Sequence, residues 1–140
     1  MPNPIAYLTF DGNCAEAMRF YERALNGKLQ ALMTYGESPM AAQMPAAMAA
    51  LIIHASLALE GGGVLMAGDK MPEQPYEAMK GFSLALTYDT VAEAQRAFNA
   101  LGDGGKVTMP LQATFWAKTF GMLVDRFGTP WMVSGEFIAQ

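Results

Sequence analysis

One motif occurs twice in the chain and limits how the chain can fold. Leu-Thr-aromatic-Asp followed by Ala-Glu-Ala-x-Arg stands at 8–11 and 15–19, and again at 86–89 and 92–96. The two offsets differ by a single residue, so one residue has been lost between the two pieces. A pattern this specific is not expected twice by chance, and internal repeats take precedence over other sequence signals. The chain is therefore predicted to consist of two similar modules.

The modules are placed at about 1–70 and 80–140, with a proline-containing linker at 71–79. Two copies are too few for a solenoid and instead predict one pseudo-symmetric domain over residues 1–140. The length of 140 residues agrees with this prediction, because single domains commonly have this size.

Each module opens with a strand that turns into a helix. Asn13 and Glu16 are predicted to cap the first helix, and Thr90 and Glu93 form the same capping box in the second module. Further strand-like segments follow at 28–35, 51–59, 63–68, 105–112, 116–125 and 130–138. Each module is thus predicted to be βαβββ, which places the chain in the α+β class.

Alternation within the strands separates their two faces. Ala55 and Leu57 share one face of the segment 51–59, whereas His54 and Ser56 share the other. Each sheet therefore has an apolar face for its helix and a smaller, more mixed face. We predict two curved mixed sheets with the helices on their outer faces, surrounding a cavity of the kind that holds small ligands.

Composition excludes several classes of protein. Nine Lys and Arg against thirteen Asp and Glu give a net charge of −4 with no basic run, which argues against nucleic-acid and anionic-membrane partners. One cysteine and one histidine leave neither a disulfide framework nor a zinc motif. Residues 1–4 carry no secretion signal, so a cytoplasmic location is predicted. The uncharged stretch 40–59 is interrupted by polar residues and predicts a loop followed by a buried strand rather than a membrane span.

Several further motifs are shared with a known family. They are Phe10-Asp11-Gly12-Asn13, Met33-Thr34-Tyr35-Gly36, Ile53-His54-Ala55, Gly81-Phe82-Ser83-Leu84 and a run from Gly105 to Trp131 that contains Phe115-Trp116 and Asp125-Arg126-Phe127-Gly128. Together with the paired βαβββ pattern, these motifs resemble the vicinal oxygen chelate superfamily, which includes glyoxalase I, extradiol dioxygenases and bleomycin-binding proteins. The closer resemblance is to its PhnB-like subfamily, whose members carry the name demethylubiquinone methyltransferase. The resemblance covers nearly the whole chain and implies a small-molecule ligand and a homodimer.

The resemblance also implies two metal ligands in each module. Carried over to this chain, the first-strand positions fall at Ile5 to Tyr7 and at Ser83, and the last-strand positions at Leu65 or Met66 and at Met132. A divalent metal needs several converging donors, and Ser, Tyr and the Met thioether are poor donors for it. We therefore predict no metal ligands and no cofactor, with an atypical divalent site as the alternative.

His54 is the candidate catalytic residue. It shares the mixed face of its strand with Ser56, where an imidazole can act as a general base or as a ligand anchor near neutral pH. The alternative is a core histidine hydrogen-bonded to the backbone, because the sequence shows no partner carboxylate or nucleophile.

The predicted ligand-binding residues combine aromatic, polar and thioether side chains. Trp116 and Phe120 alternate with Lys118 on one strand and predict an aromatic wall for a flat ligand, with ordinary packing or a dimer surface as alternatives. The full predicted set is Tyr7, Tyr35, His54, Ser83, Thr114, Trp116, Phe120 and Met132.

Three other features carry weaker expectations. Met40, Met44 and Met48 recur every four residues as on one helical face, and suit either a pocket lid or a methionine-rich composition. Cys14 opens the first helix, where a thiolate is favoured, but no neighbouring base is visible. Residues 125–128 predict a turn whose glycine takes an unusual backbone angle.

These features lead to three hypotheses of function. The first is a small-molecule-binding protein of the glyoxalase and bleomycin-resistance fold without the usual metal ligands. The second is a lyase, isomerase or group-transfer enzyme of the same superfamily, using an atypical metal site or His54 as the base. The third is an interaction module for which the fold is only a scaffold.

Overall fold

The computed structural model describes residues 2–71 and 73–138. The chain divides into two compact units, Met1–Glu77 and Ala78–Gln140. The elements of the first unit are β1 (Tyr7–Phe10), α1 (Cys14–Ala24), β2 (Lys28–Thr34), β3 (Ile52–Ala58) and β4 (Val64–Asp69). Those of the second unit are β5 (Leu84–Tyr88), α2 (Val91–Gly102), β6 (Lys106–Gln112), β7 (Ala117–Val124) and β8 (Pro130–Phe137). The α+β class and the two βαβββ modules are confirmed.

Each unit contains one four-stranded mixed sheet. The strand order is β1-β4-β3-β2 in the first unit and β5-β8-β7-β6 in the second, so the two orders correspond strand by strand. The opening strand of each unit runs parallel to the last strand, and the other neighbours are antiparallel. The helix and the two strands that follow it form the long connection that such a parallel pair requires.

The helix of the first unit packs on the face predicted to be apolar. Helix α1 contacts β2, β3 and β4. Leu8 and Phe10 on β1 and Ala55 and Leu57 on β3 are buried beneath it, whereas Tyr7 on the alternate face of β1 is half exposed. The alternation in the sequence therefore assigned these two faces correctly.

In the second unit, helix α2 approaches its sheet closely because a glycine lies beneath it. A Cβ atom added to Gly135 on β8 would lie 2.8 Å from Cβ of Ala94 and 3.0 Å from the carbonyl oxygen of Thr90. The start of α2 confirms the predicted cap, since the Thr90 hydroxyl accepts a hydrogen bond from the Glu93 amide at 3.1 Å. That hydroxyl also donates to the Glu93 carboxylate at 2.9 Å.

The predicted cap of α1 is wrong. Asn13 makes no side-chain hydrogen bond to the helix. A carboxylate from the end of β4 takes its place, because Asp69 Oδ1 accepts from the amides of Gly12 and Cys14, both at 3.0 Å. Asp69 Oδ2 accepts from the Ile52 amide at 2.8 Å, so one buried side chain joins β4 to the start of α1 and the start of β3.

The segment between β2 and β3 is not a helix with one methionine face. It forms three short 3-10 turns at Tyr35–Glu37, Ala41–Gln43 and Ala46–Met48. Met48 is buried whereas Met40 is exposed, and Pro45 stands between the last two turns. The predicted loop and buried strand are confirmed. No helix in the described parts of the chain is long and apolar enough to cross a membrane.

The predicted turn at 125–128 is confirmed. Gly128 has φ +90°, which a residue with a side chain rarely adopts. Asp125 Oδ1 accepts from the amides of Phe127 and Thr129, and Asp125 Oδ2 accepts from Nε1 of Trp131 at 2.8 Å. The buried Asp125 carboxylate of the turn therefore fixes the indole of Trp131 near the start of β8.

Candidate functional site

The candidate site lies on the face of the first sheet opposite α1. Tyr7 on β1 and His54 on β3 both belong to this face, and β4 runs between their strands. The side chain of Tyr7 is 50% exposed and His54 is partly buried. Two of the predicted ligand-binding residues thus share one accessible surface.

Tyr7 reaches across β4 to the strand that carries His54. Its hydroxyl oxygen lies 3.3 Å from Nδ1 of His54 and 3.3 Å from the carbonyl oxygen of Ile53. The two rings are stacked with centroids 5.8 Å apart and planes inclined by 24°. A core histidine that is held by the backbone alone does not describe His54, because its ring contacts the exposed side chain of Tyr7.

Gly68 makes this contact possible. A Cβ atom added to Gly68 would lie 3.0 Å from the Tyr7 hydroxyl oxygen and 3.0 Å from the carbonyl oxygen of Ile53. That distance is tighter than ordinary contacts of a real Cβ atom, so any side chain at this position would push the tyrosine away. Gly68 was not predicted as a functional residue, because a glycine within a strand indicates that another group comes close but does not identify that group.

The electrostatic surroundings keep the Tyr7 hydroxyl protonated. Burial raises its pKa above the ordinary value of 10.0, and nearby Cys14 and Tyr35 raise it further. The tyrosine at this site is therefore a neutral phenol under ordinary conditions, with one proton to donate.

Thioether side chains border the pair. Met33 on β2 is the cross-strand partner of His54, and Met66 on β4 is the partner of Tyr7. Met33 is 45% exposed and Met66 is partly buried. The surface therefore combines an imidazole and a phenol with adaptable apolar groups.

Tyr35, another predicted ligand-binding residue, lines a small pocket together with Met44 and Ala49. It is buried in the first 3-10 turn after β2. Its hydroxyl lies 3.4 Å from the carbonyl oxygen of Asp69 and 3.1 Å from Sδ of Met71. Burial, followed by the Asp69 carboxylate, raises the pKa of Tyr35. Its visible role is to hold the end of β4.

In the second unit the predicted aromatic wall is a cluster of three rings. The Trp116 ring contacts Phe120 edge to face at 5.2 Å and contacts Phe115 at 4.8 Å. Phe120 is buried, Trp116 is partly buried and Phe115 is 79% exposed. Lys118 forms an ion pair with Glu136 at 2.7 Å.

The other predicted residues of the second unit lie at three places. The Thr114 hydroxyl accepts from the amides of Trp116 and Ala117 at 3.4 and 3.1 Å, which shapes the loop before β7. Ser83 immediately precedes β5. Met132 lies on β8 beside Ala85 and Met122. The binding roles predicted for them stay predictions.

The strand register identifies the positions that correspond to the expected metal ligands. Tyr7 pairs with Met66 in the first unit, and Ala85 pairs with Met132 in the second. Ser83 is thus two residues away from the partner of Met132. At the expected positions, the Tyr7 phenol, the Ser83 hydroxyl and the thioethers of Met66 and Met132 do not fit a hard divalent ion. Within residues 2–71 and 73–138, no group of three or more His, Cys, Asp or Glu side chains could hold a metal ion.

Cys14 lacks the expected thiolate character. Its side chain is fully buried at the start of α1. Burial and then the nearby Asp69 carboxylate raise the pKa of the thiol to about 12, which outweighs the helix N-terminus. Cys14 is therefore an inert core thiol rather than a nucleophile.

The raised pKa of the Cys14 thiol predicts that the protein loses stability at high pH. An unfolded thiol ionises above its ordinary pKa of 9.0, whereas the folded thiol stays protonated to about 12. The folded state then binds more protons, so the free energy of unfolding should fall by about 3 kcal/mol between pH 9 and pH 12. Denaturant unfolding of the wild-type protein and of Cys14→Ala checks this. The variant should lack that part of the pH slope, and equal slopes would contradict the expectation.

Two similar βαβββ units, each with one helix-covered and one open sheet face, define a paired-module α+β protein. The chain belongs to the Glyoxalase/Bleomycin resistance protein/Dioxygenase superfamily, whose family model matches residues 5–133.

Individual relatives agree with this assignment. The chain is 38% identical over 136 residues to Protein YjdN of Escherichia coli K12, with 91% of each chain covered. The crystal structure of protein PA1353 from Pseudomonas aeruginosa is 47% identical with a TM-score of 0.88, and 97% of this chain and 98% of that one are covered. The PhnB protein from Bacillus cereus is 27% identical with a TM-score of 0.78, covering 96% and 99%. The resemblance to PhnB-like proteins is confirmed.

Proposed function

We propose that the protein binds a small organic molecule on the open face of its first sheet, at Tyr7 and His54. The observation that carries the proposal is the contact between these two side chains across Gly68. Two polar groups are held in fixed relation on an accessible surface, which is how binding sites orient a ligand.

The surroundings support an apolar ligand body. Met33 and Met66 flank the polar pair, and thioethers adapt their shape to different ligands. Family membership supports a small-molecule ligand as well. We propose further that binding does not require a hard divalent metal, because the side chains at Tyr7, Met66, Ala85 and Met132 are poor donors for one.

A fragment screen tests the proposal. Neutral aromatic and heteroaromatic fragments are screened by thermal shift and by the ring signals of His54, the one histidine in the chain. A fragment at 100 times its Kd should raise the free energy of unfolding by about 2.7 kcal/mol. The thermal shift should be lost in His54→Ala, and both effects should be kept in Tyr76→Phe, which alters a tyrosine outside the site. Fragments that bind without moving the His54 signals would refute this location.

A second candidate is catalysis with His54 as a general base. The Tyr7 hydroxyl at Nδ1 orients the imidazole, as the second partner of a catalytic histidine does. The reaction would be a lyase, isomerase or group-transfer step of the kind this superfamily supports.

Turnover measurements on two His54 variants test whether His54 acts as the base. Once a turned-over compound is found, His54→Ala should abolish turnover, whereas His54→Gln should keep the fold and test the loss of the base alone. The melting temperature should change little in the glutamine variant. Unaltered turnover in both variants would exclude His54 as the base.

We also propose a cytoplasmic homodimer. The buried free thiol of Cys14 supports a reducing compartment. The homodimer follows from the family resemblance. Light scattering on the purified protein tests it, and a monomer mass at micromolar concentration would refute it.

A further inference from the structure

The Tyr7 hydroxyl has two hydrogen-bond partners. This hydroxyl lies 3.3 Å from two groups, the carbonyl oxygen of Ile53 and Nδ1 of His54. A carbonyl oxygen can only accept a hydrogen bond, so the tyrosine proton must point to it if that contact is made. The phenol oxygen is then left with lone pairs, and it can only accept from His54.

This direction decides which imidazole nitrogen carries a proton. A neutral imidazole has one N–H and one lone-pair nitrogen, and the partner of one nitrogen sets the state of the other. If Tyr7 accepts from His54, the proton is on Nδ1 and the lone pair is on Nε2.

The Nε2 atom is not fully buried. Among residues 2–71 and 73–138, the one hydrogen-bond contact of the His54 ring is through Nδ1. No side-chain nitrogen or oxygen in this part of the chain is both buried and without a partner. Nε2 is therefore accessible, and a ligand on the open face can reach its lone pair.

We infer that Tyr7, given room by Gly68, holds His54 as the Nδ1–H tautomer, and that the accessible Nε2 lone pair selects ligands with an acidic O–H group, such as phenols and enols. The ligand class rests on the proposed function, whereas the tautomer does not. Tyr7 is a positioning residue in this arrangement, because it acts on the ligand through the imidazole. The apolar body of such a ligand would contact Met33 and Met66, which flank the pair.

The single histidine makes the tautomer directly measurable. In a long-range ¹H–¹⁵N spectrum of labelled protein in alkaline buffer, the protonated and lone-pair nitrogens of the ring are well separated. The wild-type protein should show the proton on Nδ1. Tyr7→Phe keeps the ring and removes the hydroxyl, and it should shift the population towards Nε2–H. Tyr76→Phe is the matched control and should leave the spectrum unchanged.

Two results would refute the inferred tautomer or the role of Tyr7 in setting it. An Nε2–H form in the wild-type protein would overturn the inference whatever the ligand results. An Nδ1–H form that persists in Tyr7→Phe would overturn the positioning role of Tyr7. Amide spectra of each variant show whether the fold is intact, and Gly68→Ala gives a second way to displace the hydroxyl without altering either ring.

Phenol and anisole test the ligand class. The two probes have similar shape, but anisole lacks the O–H donor. Phenol should bind wild-type protein about tenfold more tightly than anisole, as one hydrogen bond of ordinary strength implies. The preference should be lost in Tyr7→Phe, because Nε2 then carries the proton.

The outcomes separate this inference from the proposed function. Equal binding of phenol and anisole at His54 would refute the ligand class and leave the binding site standing. If neither probe moves the His54 signals and the fragment screen also fails, the proposed function fails while the tautomer result stands. Phenol selectivity with an Nδ1–H ring would support both.

Discussion

Replacing Asp69 with alanine is expected to lower the free energy of unfolding by about 3–5 kcal/mol, because the change leaves three backbone donors without an acceptor, and those of Cys14 and Ile52 are buried. Asp69 accepts from the amides of Gly12, Cys14 and Ile52 at 2.8–3.0 Å. The carboxylate is itself 6% exposed, so water cannot easily replace it. The start of α1 and the start of β3 lose their common anchor in one substitution.

The matched control is Asp11→Ala. Asp11 lies close in sequence to the same helix start, but its carboxylate is exposed and its contact with Lys70 is a 3.6 Å ion pair. Such a pair contributes at most about 1 kcal/mol. Urea denaturation of both variants gives the comparison. Equal losses would mean that the hydrogen bonds of Asp69 do not stabilise the unit as argued.

The sequence was most informative where the pattern is local. Strand alternation placed Leu8 and Phe10 in the core and Tyr7 on the open face. Thr90 and Gly128 were predicted in their observed roles, because a cap and a turn depend on a few neighbouring residues. The internal repeat also predicted the order of the helices and strands, because one arrangement of elements had to fit both modules.

Contacts between residues distant in sequence were not predictable in the same way. Asn13 matches the local capping pattern, yet Asp69 from the end of β4 provides the acceptors. In the sequence, Gly68 is one residue of a strand, and its importance is visible only because the Tyr7 hydroxyl lies beside it in the structure. In both cases the decisive partner lies more than fifty residues away, and no spacing rule connects the two positions.

The candidate site shows the same division. Tyr7 and His54 were each predicted as ligand-binding residues, but their contact was not. The strand order β1-β4-β3 brings them to one face, and that order depends on tertiary pairing rather than on either residue. Tyr35 was grouped with them; its hydroxyl lies 3.4 Å from the carbonyl oxygen of Asp69 at the end of β4, and its ligand-binding role stays a prediction.

Truncation of Trp131 to alanine should also be severe, with an expected loss of about 3–5 kcal/mol. Trp131 is 1% exposed and is among the largest buried side chains of the chain. The substitution leaves a cavity beneath α2. It also removes the indole N–H that donates to Asp125 at 2.8 Å, within the turn that joins β7 to β8.

Two further variants separate packing from hydrogen bonding. Trp116→Ala removes the other tryptophan of the chain, which is partly buried in the Phe115 and Phe120 cluster, and it should destabilise far less. Trp131→Phe keeps most of the ring volume and should lose about 1–3 kcal/mol, chiefly through the missing donor to Asp125. Denaturant unfolding followed by circular dichroism measures all three variants. If Trp131→Ala lowers the free energy of unfolding no more than Trp116→Ala does, the buried indole of Trp131 does not stabilise the second unit as argued.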